Sequence, residues 1–310
     1  MTKTITTGPT MSSLLVHALR GHRAIRRMSG AVDDVTGRKT VFNVVGVVAL
    51  ASAATASMAG HVGAEVQEAA QRELLERATL MGFLDEIIEA LPPELDLETA
   101  QSILSARLGD YKARYGARAR EAIDDVVRSM HWEARRRGAL DGAFTFEDYL
   151  DHVSISNGAS FFLRGCVQIV HASDEVPQYK DLFTAIDRAL RLKTDMAKVW
   201  KDIESRENVL LQYMDLSPTA ISLDEAVQAM NRRYQILADQ IVGCLASCRS
   251  DPACSPAVLA CAESFWKNGA LLMDRAGKVY HLFRVRDAVS GAWSGGRARL
   301  KRRLDKFMGG

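Results

Sequence analysis

Apolar residues recur three and four positions apart along almost the whole chain, and this helical period constrains the fold more than any other feature of the sequence. The pattern runs through residues 66–88, 100–108, 122–132, 182–203, 223–245 and 257–272. Ser222 lies three residues before Glu225, and Asp96 lies three residues before Thr99; this spacing is typical of helix N-caps. No strong hairpin signal is present. We therefore predict an all-α fold with helices of about 10 to 25 residues.

The two ends of the chain differ in composition from the part between them. Residues 1–39 mix Gly, Ser and Thr with a basic run, which indicates a flexible basic arm. Residues 291–310 are again basic and read as a solvated tail, or alternatively as a clamp over an anionic ligand. The predicted helical domain is then 40–290. A net charge of +2 over 310 residues is too small to predict a nucleic-acid partner.

Residues 40–64 contain no Asp, Glu, Lys or Arg and are long enough to span a bilayer. The stretch is rich in Ala, Gly, Ser and Thr, however, and such residues contribute little to membrane insertion. A buried helix that packs closely through its small residues is the better interpretation, with a membrane span as the alternative. Membrane contact is not expected.

The segment MGFLDEIIE carries three acidic residues, Asp85, Glu86 and Glu89, in a run that is otherwise apolar. Residues four apart share a helix face, so Asp85 and Glu89 could hold one hard cation between them. Carboxylates at the edge of an apolar wall suit magnesium bridged to a substrate diphosphate. The alternative is a solvated acidic helix face.

Two further segments carry polar residues in or beside apolar helices. In TFEDYLDHVSISNGASFF, the small polar run that includes Asn157 and Gly158 could break the helix and direct backbone carbonyls into a cavity, or it could mark a tight helix crossing. In WKDIESREN, Lys201, Asp202 and Ser205 could share a face at a helix end, although an ordinary charged terminus has the same appearance.

Several catalytic classes lose support because their motifs are absent. The sequence has no nucleophile elbow, phosphate-binding glycine loop or dinucleotide fingerprint. Its five cysteines do not form a disulfide framework in a chain of this length, so a reduced cytoplasmic protein is expected, although Cys248 and Cys254 could pair under oxidation.

Together these segments resemble the class I terpene synthases of bacteria, and most nearly the short, single-domain diterpene cyclases of the ent-kaurene synthase kind. FLDEIIE is similar to the family's aspartate-rich helix, FEDYLDHVSISNGASFF to its broken helix, and KDIESRE to its second magnesium motif. FWKNGALLMDRAGKVY is similar to the terminal helix that contacts diphosphate. The resemblance covers residues 66–280.

The resemblance implies a helical bundle around a central apolar cavity, in which Mg²⁺ assists ionisation of a prenyl diphosphate and the carbocation is cyclised or rearranged. It implies metal ligands at Asp85, Glu86, Glu89, Asp202 and Ser205. It implies catalytic roles for Asp85, Glu89, Asn157 and Gly158. It further implies diphosphate contacts from Lys201, Lys278 and Tyr280, and a pocket lined by Phe83, Phe161, Phe162, Trp200 and Trp266. A homodimer is compatible with this interpretation.

This chain departs from the family pattern at several positions. Lys201 stands where a metal-ligating Asn is usual, and Ser154 where many members have a diphosphate-sensing Arg. Lys278 and Tyr280 only approximate the family's Arg-Tyr pair, and Glu207 is the nearest match to the last Glu of the second motif. Two alternatives therefore stay open: a prenyl-ligand-binding pseudoenzyme and a membrane-associated helical scaffold.

Overall fold

A computed structural model describes residues 41–92, 94–109, 113, 117–135, 145–172, 177–199, 202 and 208–290. Within these ranges the chain is helical and has no β-strand, which confirms the predicted all-α class. The helices are α1 (Val41–Ala56), α2 (Ala64–Ala90), α3 (Leu97–Leu108), α4 (Ala117–Arg135), α5 (Phe146–Ser154), α6 (Ala159–His171), α7 (Lys180–Lys198), α8 (Val209–Leu216), α9 (Leu223–Ser250) and α10 (Pro256–Ser290). Short 3₁₀ turns, Ile155–Asn157 and Pro177–Tyr179, precede α6 and α7.

Side-chain caps begin four of the described helices, α3, α5, α8 and α9. Asp96 accepts a hydrogen bond of 2.8 Å from the Thr99 amide at the start of α3, and Ser222 forms a capping box with Glu225 at the start of α9. Both caps were predicted. Thr145 forms a second capping box, with Asp148, at the start of α5. Each cap pairs an amide that has no partner within its own helix.

The charge-free stretch forms the buried helix α1, which packs between α2 and α10. Val48, Ala51 and Ala54 have no exposed surface. Small residues allow the close approach: Leu50 and Leu190 both lie against Gly269 of α10. None of the described helices combines the length and apolarity that a membrane span needs.

Helix α6 lies at the centre of the described bundle, where it packs against α2, α4, α7 and α10. Phe162 of α6 stacks on Phe265 of α10 with ring centroids 4.6 Å apart. A second apolar cluster joins the last turns of α2 to α4 and includes Phe83, Ile87 and Phe161. These contacts do not test whether the bundle encloses a central apolar cavity, so that cavity stays a prediction.

The directions of the helices follow from their side-chain contacts. Along α6, Gly158 and then Gly165 lie against Met81 and then Arg77, so α2 runs antiparallel to α6. Ser160 contacts Asp187 and His171 contacts Tyr179, so α7 is also antiparallel to α6.

Helix α10 runs parallel to α7. Gly269 meets Leu190, and eight residues later Gly277 meets Ala197. Helices α2, α7 and α10 therefore run in one direction past the 3₁₀ turn Ile155–Asn157. We call the side of the molecule toward which they run the break end.

Candidate active site at the helix break

The polar segment after Tyr149 breaks the helix, as the sequence predicts. Helix α5 ends at Ser154, the 3₁₀ turn follows, and Gly158 then adopts a left-handed conformation with φ 66° before α6 begins. Hydroxyl groups compete for the helical carbonyls here: Ser154 Oγ donates to the Leu150 carbonyl and Ser156 Oγ to the Val153 carbonyl, both at 2.6 Å. Glycine permits the positive φ at no steric cost.

The break packs directly on the acidic helix α2. A Cβ atom on Gly158 would lie 2.3 Å from Met81 Cε, so glycine is also required here for space. Met81 and Asp85 are four residues apart and share one face of α2. Asp85 therefore lies one helical turn beyond the contact with Gly158, in the direction of the break end. The structure thus brings two of the predicted segments together.

Within the acidic segment, the apolar residues are buried and Asp85 is partly exposed. Phe83, Leu84 and Ile87 have no exposed surface. Glu86 and Glu89 belong to α2, but their side chains lie outside the described part of the structure. Carboxylate oxygens are ligands that suit a hard divalent cation, so the donor chemistry fits. Among the side chains that the structure describes, no group of three or more His, Cys, Asp or Glu is arranged to hold a metal ion.

A buried polar ridge on α7 faces the break, and the sequence analysis missed it. Asp187, Arg191 and Asp195 are spaced four residues apart and are 4%, 7% and 3% exposed. The Asp187 carboxylate accepts hydrogen bonds from the Ser160 amide, at 3.1 Å, and from the Ser160 hydroxyl. Asn157 Nδ2 donates to the Asp187 carbonyl at 3.1 Å. Burial raises the pKa of the Asp187 carboxyl to about 7, although the bonds from Ser160 oppose the rise.

Arg191 connects the ridge to the break and to α4. Its Nη1 donates to Ser156 Oγ at 3.0 Å and to Glu133 Oε2 at 2.9 Å, and its Nη2 pairs with Glu133 Oε1. Its Nε donates to Asp195 Oδ2 at 2.9 Å. Burial alone would lower the pKa of Arg191, but the carboxylates of Asp195 and Glu133 hold it well above its ordinary value. For Asp195, burial outweighs the opposing charge of Arg191 and raises the pKa to about 6.

The ridge continues into the segment that precedes α8. Asp195 Oδ2 accepts a bond of 2.7 Å from the Val209 amide. Asn208, which has no exposed surface, donates through Nδ2 to the Asp195 carbonyl at 2.8 Å and to Asp202 Oδ2 at 3.0 Å. Asp202 is therefore connected to the ridge by hydrogen bonds through Asn208. Trp200, Lys201, Ser205 and Glu207 lie outside the described residues.

The described aromatic pocket candidates are all buried. Phe83, Phe161, Phe162 and Trp266 are each at most 7% exposed. The Arg77 guanidinium lies 5.0 Å from the ring centroid of Phe161. Lys278 and Tyr280 belong to α10, one and three residues beyond Gly277, but their side chains are not described. That these residues line a substrate pocket or contact diphosphate stays a prediction.

Beside the break, α4, α5, α6 and α7 enclose a cleft of about 280 Å³. Ser154, Asp187, Arg164 and Arg188 are among the residues that line it. Arg188 pairs with Asp151 at the rim.

Comparison with known protein families decides which family this arrangement belongs to. Residues 64–240, more than half of the chain, match the family model described as terpene synthase family 2, C-terminal metal binding. The chain belongs to this terpene synthase family. Membership implies a prenyl diphosphate substrate and is consistent with a divalent metal. No curated protein and no solved structure matches the chain.

The region that matches the terpene synthase family contains most of the features described above. It begins with α2 and ends within α9, so it includes Asp85, the break at Gly158, the ridge on α7 and Asp202. Trp266, Lys278 and Tyr280 lie beyond it. Their predicted roles in this terpene synthase therefore rest on the sequence resemblance alone.

Proposed function

We propose that this terpene synthase is a class I cyclase that uses Mg²⁺ to ionise a diterpene-type prenyl diphosphate, linear or copalyl-like, at the break end. The carbocation is then cyclised or rearranged, and diphosphate is released. One observation carries the proposal: the helix break at Gly158 packs on Met81, one turn before Asp85. Ionisation needs a metal-binding helix and carbonyl dipoles side by side, and this contact places the helix that bears Asp85 against the break.

In this proposal, Asp85, Glu86 and Glu89 would bind Mg²⁺ from α2, and Asp202 and Ser205 would bind it from the second motif. When bound, Mg²⁺ supplies the positive charge that stabilises the diphosphate leaving group. Lys201, Lys278 and Tyr280 contact the diphosphate. Because Lys201 replaces a neutral metal ligand, its ammonium takes over part of the charge neutralisation that a metal site would otherwise supply.

The prenyl chain requires different properties from the protein. An allylic cation is quenched by water and is stabilised by aromatic ring faces and by carbonyl dipoles. In this proposal the break residues Asn157 and Gly158 contribute the dipoles. Asn157 lies in the 3₁₀ turn, whereas the Gly158 carbonyl also accepts the first helical bond of α6, from the Phe162 amide at 3.0 Å. The pocket wall is formed by Phe83, Phe161, Phe162, Trp200 and Trp266.

Further parts of the proposal rest on the sequence resemblance. On that basis the chain acts like the bacterial cyclases of the ent-kaurene synthase kind, and it acts in the cytoplasm. The basic arm 1–39 and the tail 291–310 flank a single catalytic domain, 40–290, which can pair as a homodimer.

A prenyl-ligand-binding pseudoenzyme is the second candidate, and one contact favours it. Ser154 stands where a sensing Arg is usual, and its hydroxyl donates to the Leu150 carbonyl, so no cation comes from that position. A membrane-associated scaffold gains no support, because the charge-free stretch that motivated it forms helix α1, buried between α2 and α10.

The deciding experiment incubates the full-length chain with geranyl, farnesyl, geranylgeranyl or copalyl diphosphate and measures released diphosphate and hydrocarbon products. We expect Mg²⁺-dependent release with geranylgeranyl or copalyl diphosphate, loss of release in Asp85→Ala, and full activity in the control Asp239→Ala, which alters an exposed residue of α9. Binding of these substrates without release from any of them would overturn the cyclase proposal in favour of the pseudoenzyme.

A further inference from the structure

A continuous series of hydrogen bonds joins the helix break to Asp202. Ser156 Oγ in the break accepts from Arg191, Arg191 donates to Asp195, and Asp195 accepts from the Val209 amide. Asn208, the residue before Val209, donates to the Asp195 carbonyl and to the Asp202 carboxylate. All the distances in this series lie between 2.7 and 3.0 Å.

Arg191 is the member of this series that unites separate helices. Its planar guanidinium reaches Glu133 on α4, Ser156 in the break and Asp195 on its own helix. A single ammonium lacks this rigid fork of donors and cannot hold three such partners in the same geometry. Arg191 is therefore suited to fix the relative positions of α4, the break and α7. Neutralising the charge of the nearby carboxylates would not by itself require a guanidinium.

The position of Asp195 depends on Arg191 in turn. Asp195 Oδ2 accepts from both Arg191 Nε and the Val209 amide, so the two bonds restrain one carboxylate oxygen. If the bond to Arg191 is lost, Asp195 can rotate away from Val209, and the start of α8 loses a capping contact. Asn208 and its bond to Asp202 lie immediately before that point.

We propose that Arg191 is a positioning residue that holds Asp202 in register with the break at Gly158. The inference rests on the proposed function, because Asp202 matters to catalysis only if it binds metal. Arg191 does not touch the substrate in this proposal. It acts through Asp195 and Asn208.

Three variants separate this role from a general contribution to folding. Arg191→Lys keeps the buried charge but loses the fork. Ser156→Ala removes the contact between Arg191 and the break, together with the bonds that the Ser156 hydroxyl donates to the Val153 carbonyl and to Glu133. The control, Arg249→Lys, changes an exposed arginine of α9 that pairs with Glu263 of α10. Circular dichroism establishes that each variant is folded.

Two measurements are made on each folded variant. The first is the Mg²⁺ concentration that gives half-maximal diphosphate release. The second needs no turnover: calorimetric binding of inorganic diphosphate in the presence of MgCl₂, together with amide hydrogen exchange of the ion-free protein at Asp202 and Val209. Removing the support of a metal ligand typically weakens metal affinity about tenfold or more.

We expect Arg191→Lys to raise the half-maximal Mg²⁺ concentration about tenfold, Ser156→Ala to raise it several-fold, and Arg249→Lys to leave it unchanged. Exchange at Val209 should accelerate in the first two variants only. If Arg191→Lys does not fold, Ser156→Ala decides the question.

Unchanged Mg²⁺ dependence and unchanged exchange in the folded variants would overturn the positioning role while leaving the cyclase intact. A wild-type protein that neither releases diphosphate nor binds it with Mg²⁺ would overturn the proposed function, and this inference with it.

Discussion

The buried carboxyl of Asp187 should make folding stability fall as the pH rises, and Asp187→Asn should remove that fall. The pKa of Asp187 is raised from its ordinary value of 3.8 to about 7, chiefly by burial. Its two oxygens accept hydrogen bonds from the amide and the hydroxyl of Ser160. An asparagine can keep both contacts, since its oxygen accepts from the Ser160 amide and its NH₂ donates to the Ser160 hydroxyl.

The sign follows from proton linkage. The folded protein holds the Asp187 proton more tightly than the unfolded chain, so the group contributes stability below pH 4 that is lost as the pH rises toward 7. The whole effect is about 4 kcal/mol, because a tenfold change in proton affinity corresponds to about 1.4 kcal/mol. Roughly 2 to 3 kcal/mol of this contribution to the free energy of unfolding is lost between about pH 5 and about pH 8.

Urea unfolding at about pH 5 and about pH 8 measures this loss. The free energy of unfolding of the wild type should decrease between the two values, and that of Asp187→Asn should decrease by roughly 2 to 3 kcal/mol less. The control Asp239→Asn alters an exposed aspartate on α9 and should retain the wild-type pH dependence. If Asp187→Asn has the same pH dependence as the wild type, Asp187 is ionised throughout this range and the argument from burial is refuted.

Three further substitutions test the candidate site. Asp85→Ala should lower diphosphate release at least about a hundredfold without changing the urea midpoint, and undiminished release would refute the metal assignment. Gly158→Ala should destabilise the fold by about 1 to 3 kcal/mol, because residue 158 has a positive φ and the added Cβ would overlap Met81. The control Gly243→Ala has open space around its added Cβ and should not destabilise the fold. A urea midpoint of Gly158→Ala equal to that of the wild type would contradict this reasoning. Lys201→Ala should slow release and Lys201→Asn should raise the Mg²⁺ requirement, and two unchanged rates would show that Lys201 does not contact diphosphate.

Helical periodicity was sufficient to predict the fold class because most helices have one continuous apolar face. Ser222 and the break around Gly158 were also visible, because caps and breaks depend on residues close together in the chain. The predicted helix over 182–203 is longer than α7, which ends at Lys198. The predicted helix over 257–272 is shorter than α10, which continues to Ser290. No proline and only one glycine, Gly277, follow residue 272 within α10, so the helix continues although the apolar pattern weakens.

The buried ridge on α7 could not be predicted in the same way. Asp187, Arg191 and Asp195 look like a solvated charged face in the sequence, since charged residues are rarely fully buried. Their partners Glu133 and Ser156 are distant in the chain. One signal was available: the three residues recur every four positions among Ala and Leu, on the face that should be apolar.

The common direction of α2 and α7 has an electrostatic consequence of its own. Both helices end at the break end, and the carbonyl groups of a helix C-terminus carry about half a negative charge. The N-terminus of α6 faces the same side and carries about half a positive charge, so it offsets one of the two C-termini. The remaining backbone contribution favours a cation at the break end before any side chain is counted, and it opposes an approaching diphosphate. Cation binding should therefore precede or accompany substrate binding. A residual, salt-sensitive affinity for Mg²⁺ should persist even when Asp85 is replaced, because a substitution does not remove the helix ends.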